Sequence, residues 1–378
     1  MRSSSGLYFS RLDHIRAAAA FLVYFWHFVH VHVPFETVPT IFFLSVLEEG
    51  HAGVALFMTL SGYLFAKITD GRAIVLSRFY WNRFIRLAPL LCIVLAYWAV
   101  RGRLSVEDFI VGFIKPSWPG GTWSIVVEIH FYALFPLILG MQRHRPISAL
   151  AGLLILTTAV RTLVWALNGS VQDLAYWTIG GCIDMFLAGM LWHQLAKFPM
   201  IRRNATTILI GSILAFAAFW HVFNLAGGFY GMGGMPSPSP LWIIIPAVSG
   251  LSFGAIIVGY EAAPITIPKL LDRCLAKIGE ASYSLYLLHF IFFTALAKSI
   301  AALGLPLARF DVGAIAAIAT FPLAALIAII SYELIEKPCL RLRSGYHPTS
   351  ASTPSTNHNS SLGPALSDPS GPRATTNS

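Results

Sequence analysis

Charged residues are scarce in this sequence. Asp, Glu, Lys and Arg make up 11% of its 378 residues, against about 25% in a typical soluble domain. Hydrophobic residues make up 56%, and the mean hydropathy is +0.68. One water-soluble core cannot bury so much apolar surface, so a bilayer must solvate part of it. The composition therefore excludes an ordinary soluble protein.

Cysteine is also rare, and no two cysteines form a CxxC pair; the four are Cys92, Cys182, Cys274 and Cys339. Neither a disulfide framework nor a thiolate metal site is indicated. His27, His30 and His32 fall close together in the chain. On a helix, however, His32 points well away from His27, and no carboxylate or cysteine pattern completes a ligand set. We expect no metal.

Basic residues outnumber acidic ones and give a formal net charge of +9, which by itself would suggest nucleic-acid binding. These basic residues lie in short loops between apolar runs. That distribution sets the orientation of a membrane protein. We therefore expect a lipid bilayer as a partner and no nucleic acid.

Ten apolar runs approach the roughly 20 residues that a helix needs to cross a bilayer. The third run is short and is expected to extend back through the basic segment before it. Backbone groups facing lipid must be hydrogen-bonded within their own segment, so the spans are helical. The predicted fold class is all-α, a polytopic membrane protein with about ten transmembrane helices. The runs cover residues 12–33, 50–68, 86–100, 123–141, 147–167, 174–195, 205–224, 241–261, 281–303 and 312–334.

The charges of the loops predict the orientation. With a cytoplasmic N-terminus, most Lys and Arg residues fall in inner loops, and the outer loops hold only Arg101, Arg103, Lys115 and Arg309. An even number of spans then places both termini in the cytoplasm, in a multi-pass protein of the inner (plasma) membrane. Residues 1–343 form the predicted membrane-embedded domain. Residues 344–378, rich in Ser, Thr and Pro, are too polar to fold and form a predicted disordered cytoplasmic tail.

The first span carries an arginine and a histidine on one face. Arg16 and His27 lie roughly 20° apart around a helix axis and about 16 Å apart along it. That face suits a long donor such as acyl-coenzyme A, with its phosphates on Arg16 at the membrane surface and its thioester carried inward. His27 could accept a proton from an attacking hydroxyl, since an imidazole has an unperturbed pKa of about 6.5. The alternative is a buried histidine that is hydrogen-bonded for packing.

Two arginines lie at the start of the third span, Arg83 before the apolar run and Arg86 as its first residue. Arg83 and Arg86 are three residues apart, so they are neighbours on a helix and could grip a phosphate together. The alternative is ordinary positive charge on the cytoplasmic side, with the nearby aromatic residues as interface anchors. Taken alone, the segment favours that alternative.

A carboxylate interrupts the fourth span. Glu128 lies in an otherwise apolar helix that opens with Trp123 and Ser124. Carboxylates inside a membrane are costly and are functional candidates by default. Glu128 could orient an imidazole, hold a basic group or bind sugar hydroxyls. As a structural residue it would pair with an arginine elsewhere.

Several segments together resemble acyltransferase family 3, integral membrane proteins that include bacterial O-acetylases of surface polysaccharides. Arg16 and His27 match the family's R-x10-H pattern. Residues 53–64, 83–89, 123–132, 278–289 and 336–338 resemble further family segments in the same order. The chain departs from the family at Asn82, which stands where a basic residue is common.

The resemblance implies a ten-helix acyltransferase that uses acyl-coenzyme A, with His27 as its essential histidine. Donor-associated positions would be Arg16, Arg83 and Arg86. We add Trp123 and Ser124 to the predicted donor site, and we assign Glu128, together with His27, to catalysis.

The predicted function is therefore an O-acyltransferase. It would move an acyl group, expected to be acetyl from acetyl-coenzyme A, to a hydroxyl of a saccharide or glycoconjugate, without a metal. His27 would remove the hydroxyl proton, and a covalent acyl-histidine route stays open. A transporter of a sugar or lipid-linked saccharide would also explain ten spans, but transporters often show two related halves, and no internal repeat is evident. A noncatalytic membrane scaffold is a third alternative, supported only by Asn82.

Overall fold

The structure, a computed structural model, describes residues 10–42, 44–70, 74–230, 235–302, 304 and 306–346. Within these residues the chain forms helices and turns and no β-strand. Ten long helices follow one another in the described part of the chain. They are α1 (Ser10–His32), α2 (Ala52–Thr69), α3 (Leu76–Val100), α4 (Trp123–Met141), α5 (Pro146–Asn168), α6 (Ile179–Leu195), α7 (Ala205–Leu225), α8 (Ile245–Ala262), α9 (Ser282–Ala302) and α10 (Phe310–Ser331).

Each of the ten predicted spans coincides with one of these helices, which confirms an all-α polytopic membrane protein. Among the described residues, eight helices are long and apolar enough to cross a membrane, namely all but α1 and α6. The histidines of α1 lower its hydropathy, and α6 has only 17 residues. Helix α3 begins at Leu76, so the basic segment before the third apolar run is helical, as expected.

Short helices occupy several of the connections. They are Ser45–Glu48, Val106–Ile114, Gln172–Trp177, Pro199–Arg203, Lys269–Glu280 and Lys337–Leu340, with 3₁₀ turns at Phe35–Thr37 and Pro240–Ile243. The helix Lys269–Glu280 packs closely on α1, because Gly279 lies against the backbone of Asp13. We call the end of the bundle where α1 begins the basic end, and the end where α1 finishes at His32 the histidine end.

Helices α2 and α6 approach each other at backbone distance. Gly62 of α2 faces the main chain of Phe186, and Gly189 of α6 faces the main chain of Thr59, so a Cβ at either glycine would overlap backbone atoms. Small residues permit such close approach between membrane helices. Because α6 is buried along most of its length, this pair forms the centre of the bundle.

A buried ion pair ties α5 to α6. The Nη2 atom of Arg161 lies 2.6 Å from Oδ2 of Asp184, and both side chains are 0% exposed. The Nε atom of Arg161 also donates to the carbonyl of Ile243, 2.7 Å away. Arg161 is therefore a structural residue that joins two helices and the loop before α8.

The chain makes a π-helical turn, Tyr332–Glu336, directly after α10. Such turns are rare and are frequent at functional sites. Glu333 pairs with Lys277 and Lys337 near the surface, whereas Glu336 is 1% exposed and points into the bundle. The turn thus directs two nearby carboxylates to different surroundings.

Two segments of the chain are described only in part. In the glycine-rich loop between α7 and α8, residues 231–234 lie outside the described residues. Of the predicted tail, residues 344–346 are described, and Ser344 and Tyr346 contact α3. The remainder, residues 347–378, lies outside the described residues.

Candidate active site

Helix α1 runs unbroken from Ser10 to His32, so Arg16 and His27 keep the helical spacing expected from the sequence. Arg16 forms an ion pair with Asp13, one turn earlier, at the basic end. Near the histidine end, Nδ1 of His27 donates to the carbonyl of Val23 at 2.9 Å. Because a carbonyl only accepts, Nδ1 carries the hydrogen and Nε2 is left with its lone pair.

A second histidine lies beside His27. The rings of His27 and His289 have centroids 4.9 Å apart, and Phe290 packs on His27 at 4.5 Å. His289 is 2% exposed. Its Nδ1 donates to the carbonyl of Tyr286 at 2.5 Å, and its buried Nε2 has no hydrogen-bond partner among the described residues. The sequence predicts no role for His289, which closes the segment 278–289.

Trp123 and Ser124 open α4 next to this histidine pair. The Ser124 hydroxyl lies 2.6 Å from that of Tyr286, which donates to the carbonyl of Gly121 at 2.7 Å. The rings of Tyr286 and His289 have centroids 5.7 Å apart. Gly121 has a φ of +79°, a region that favours glycine. The predicted donor residues Trp123 and Ser124 therefore lie at the histidine end, away from the arginines.

Glu128 lies farther along α4, toward the basic end. Its Oε1 accepts hydrogen bonds from Tyr132 at 2.5 Å and from Ser61 at 3.3 Å. Within the described residues, Glu128 hydrogen-bonds to Tyr132 and Ser61 rather than to His27. Glu128 thus belongs to the stretch between the histidine pair and the arginines, and its predicted catalytic role stays a prediction.

Arg86 has a buried carboxylate as its partner. Its Nη1 lies 2.8 Å from Oε2 of Glu336, and its guanidinium lies 5.3 Å from the ring centre of Tyr283. Ser284 also donates to Glu336. The turn after α10, the start of α9 and α3 therefore meet at this ion pair.

Arg83 lies in an aromatic cage. Its guanidinium is 5.1–5.9 Å from four ring centres, those of Phe65, Phe79, Tyr132 and Tyr346. It donates a hydrogen bond to the Tyr346 hydroxyl. The structure thus gives Arg83 and Arg86 different neighbours, although both lie at the basic end.

One face of α9 connects the arginines of α3 with the histidine pair. Tyr283 contacts Arg86, and Tyr286 contacts Ser124, while His289 contacts His27. These three residues are spaced by three, so they follow one helical face over about 9 Å. The face leads from the arginines to the histidine pair.

A second polar cluster lies in the loop between α1 and α2. Glu48 is 3% exposed and accepts from Asn224 at 2.5 Å. Burial raises the pKa of Glu48 to about 7, although the Asn224 hydrogen bond acts in the opposite direction. His51 lies 3.3 Å from a carboxylate oxygen of Glu49.

Within the described residues, no group of three or more His, Cys, Asp or Glu residues is arranged to hold a metal ion.

Comparison with known proteins identifies the family. A family model for an acyltransferase domain matches residues 9–329, most of the chain. The chain belongs to acyltransferase family 3. The predicted resemblance is confirmed. Family membership makes the chain an acyltransferase and leaves the transporter and scaffold alternatives without support.

Curated relatives of this acyltransferase cover most of its length. The exopolysaccharide production protein ExoZ of Rhizobium meliloti (strain 1021) is 28% identical, over 77% of this chain and 90% of ExoZ. Nodulation protein 10 of Rhizobium leguminosarum bv. viciae is 24% identical, over 89% of this chain and 94% of that protein. The O-acetyltransferase OatA of Staphylococcus aureus (strain NCTC 8325 / PS 47) is 25% identical over 77% of this chain, but over only 53% of OatA. No solved structure matches the chain.

Proposed function

We propose that this acyltransferase moves an acetyl group from acetyl-coenzyme A to a hydroxyl of a saccharide or glycoconjugate. The names of two relatives support it, since one is an O-acetyltransferase and another is an exopolysaccharide production protein. The chain corresponds to about half the length of the O-acetyltransferase.

The main observation behind the proposal is the tautomer of His27 and its position inside the bundle. Its Nδ1–H is held by the Val23 carbonyl, so Nε2 is a fixed proton acceptor within the bundle. In the reaction, the acceptor hydroxyl oxygen bonds to the thioester carbonyl carbon, and the carbon–sulfur bond breaks. The hydroxyl proton passes through His27 Nε2 to the departing sulfur, which leaves free coenzyme A.

The donor would lie along the face of α9. Its phosphate groups would bind at the basic end, near Arg83, Arg86 and Arg16, and its pantetheine arm would follow α9 toward His289 and His27. Arginine is well suited to phosphate because it offers several N–H groups in one plane. Trp123 and Ser124 would then contact the acyl end of the donor rather than its phosphates.

The distribution of charge supports an orientation in the inner (plasma) membrane. The basic end would face the cytoplasm, where basic loops are retained, and the histidine end would face the opposite side. Coenzyme A would then enter from the cytoplasm, and the acceptor hydroxyl would reach His27 through the histidine end.

The proposal is tested by substituting His27 in the purified protein. His27→Ala should fold normally and lose transfer of label from acetyl-coenzyme A. His32→Ala is a matched control, because Nδ1 of His32 also donates to the carbonyl four residues earlier, that of Phe28 at 2.7 Å. Full transfer by His27→Ala would remove this residue from the mechanism.

The donor site is tested separately. Arg83→Ala should raise the KM for acetyl-coenzyme A, whereas Arg203→Ala, an exposed arginine at the same end, should leave it unchanged. An unchanged KM for Arg83→Ala would refute phosphate binding by Arg83.

A further inference from the structure

The chain after α10 returns to the start of α3 and lies along it. We call residues 342–346 the strap. The indole N–H of Trp81 donates to the carbonyl of Leu342 at 3.1 Å. The Asn82 amide makes two hydrogen bonds with the backbone of Ser344, at 2.7 and 3.0 Å. The backbone N–H of Val75 donates to the carbonyl of Tyr346 at 2.9 Å. The strap is therefore anchored at three points to α3 and the residue before it.

The strap brings two side chains to the arginines of α3. Tyr346 is 6% exposed, accepts a hydrogen bond from Arg83 and places its ring 5.8 Å from the Arg83 guanidinium. Arg343 stands between Leu342 and Ser344, whose carbonyls accept hydrogen bonds from Trp81 and Asn82 of α3. Burial first, then repulsion by Arg86 and Arg83, lowers the pKa of Arg343 to about 9. Three guanidinium groups therefore converge at the basic end.

Few carboxylates lie near the arginines of the basic end. Among the described residues, Glu336 is the only carboxylate within salt-bridge distance of Arg83 or Arg86, and it pairs with Arg86. Arg83 is surrounded by aromatic rings instead, and its buried Nε has no hydrogen-bond partner in the described part of the chain. Rings stabilise a cation without neutralising it, and the carboxylate of Glu128 acts on Arg83 only from beyond salt-bridge distance. The cluster is thus built to receive an anion.

We propose that Arg343 and Tyr346 of the strap complete, with Arg83, the site that binds the phosphate groups of the donor. This inference rests on the proposed use of coenzyme A. The Tyr346 hydroxyl accepts from Arg83 and keeps its own O–H to donate to a phosphate oxygen. Arg343 supplies charge and N–H groups from the strap. Asn82 acts as a positioning residue that holds the strap.

The test measures binding and transfer separately in the full-length protein. Binding of coenzyme A and of adenosine 3′,5′-bisphosphate, its phosphate-bearing part, is followed by calorimetry in detergent. Arg343→Gln and Tyr346→Phe should each weaken binding about tenfold, the size expected for losing one hydrogen bond to a charged group. In the transfer assay both should raise the donor KM and leave kcat nearly unchanged.

Matched variants distinguish a loss of donor binding from a loss of folding. Arg341→Gln removes an exposed arginine two residues from Arg343 and should bind both probes like the unmodified protein. Arg343→Lys keeps the charge and should recover part of the affinity that Arg343→Gln loses. A general loss of folding would affect the two Arg343 variants alike and would leave no such recovery.

The outcomes separate the strap from the proposed function. Unchanged affinity in Arg343→Gln and Tyr346→Phe overturns the strap site, even if the protein transfers acetyl groups. Tighter binding in these variants also overturns it, because the strap would then be a cover that competes with the donor. If both variants bind coenzyme A more weakly while the unmodified protein transfers nothing from acetyl-coenzyme A, the strap site stands and the proposed reaction fails.

Discussion

The imidazole rings of His27 and His289 lie against each other in the bundle, with their centroids 4.9 Å apart. The Nδ1 of each ring donates to a carbonyl of its own helix, that of Val23 or that of Tyr286. Each ring therefore presents the lone pair of Nε2. Two proton acceptors meet where the proposed reaction has one proton to move.

We expect His289→Gln to lower kcat by at least about tenfold, within the range of general acid–base contributions, and to leave the donor KM within about twofold. The physical reason is the loss of a second buried acceptor beside His27. Steady-state kinetics with acetyl-coenzyme A measure both constants. Phe290→Leu, which alters packing on the same ring without removing a nitrogen, should change kcat much less. Equal losses in the two variants would reduce His289 to a packing role.

The ion pair between Arg161 and Asp184 should dominate the stability of the α5–α6 contact. Asp184→Asn leaves the Arg161 charge buried without its carboxylate, which costs about 3–5 kcal/mol. Thermal unfolding in detergent should show a clear drop in Tm. The double variant Arg161→Leu with Asp184→Leu should recover most of it, because no buried charge remains.

An exposed ion pair provides the control for that experiment. Lys197 and Asp70 are 2.8 Å apart and about half exposed, so Lys197→Ala should cost no more than about 1 kcal/mol. A loss as large as that of Asp184→Asn would contradict the assignment of stability to the buried pair.

The pH dependence of stability should report on Glu48. Its pKa is about 7 in the folded protein, against an ordinary value of 4.5, with burial as the main cause. Between these values the folded state binds a proton that the unfolded state has released, so stability falls as the pH rises from about 5 to above 7. Glu48→Gln should therefore raise Tm at pH 8 and change it little at pH 5. Glu107→Gln, at an exposed residue, should show no such difference, and an equal effect of Glu48→Gln at both pH values would refute this linkage.

Part of the candidate site was accessible from sequence spacing. Arg16 and His27 were placed on one face by the 3.6-residue period, and α1 is continuous between them. The separate surroundings of Arg83 and Arg86 were not predictable, because their neighbours come from other helices.

By itself the sequence determined the all-α membrane fold, the positions of ten helices and the acyltransferase family. A helix in lipid needs a long apolar run whose backbone hydrogen bonds form within the same segment. These properties can therefore be predicted from short stretches of the sequence. Only the tertiary structure decided which residues meet. His289 reaches His27, Glu336 reaches Arg86 and Tyr346 reaches Arg83 across some 250 or more residues of chain. Such contacts follow from how whole helices pack, and no local period encodes them.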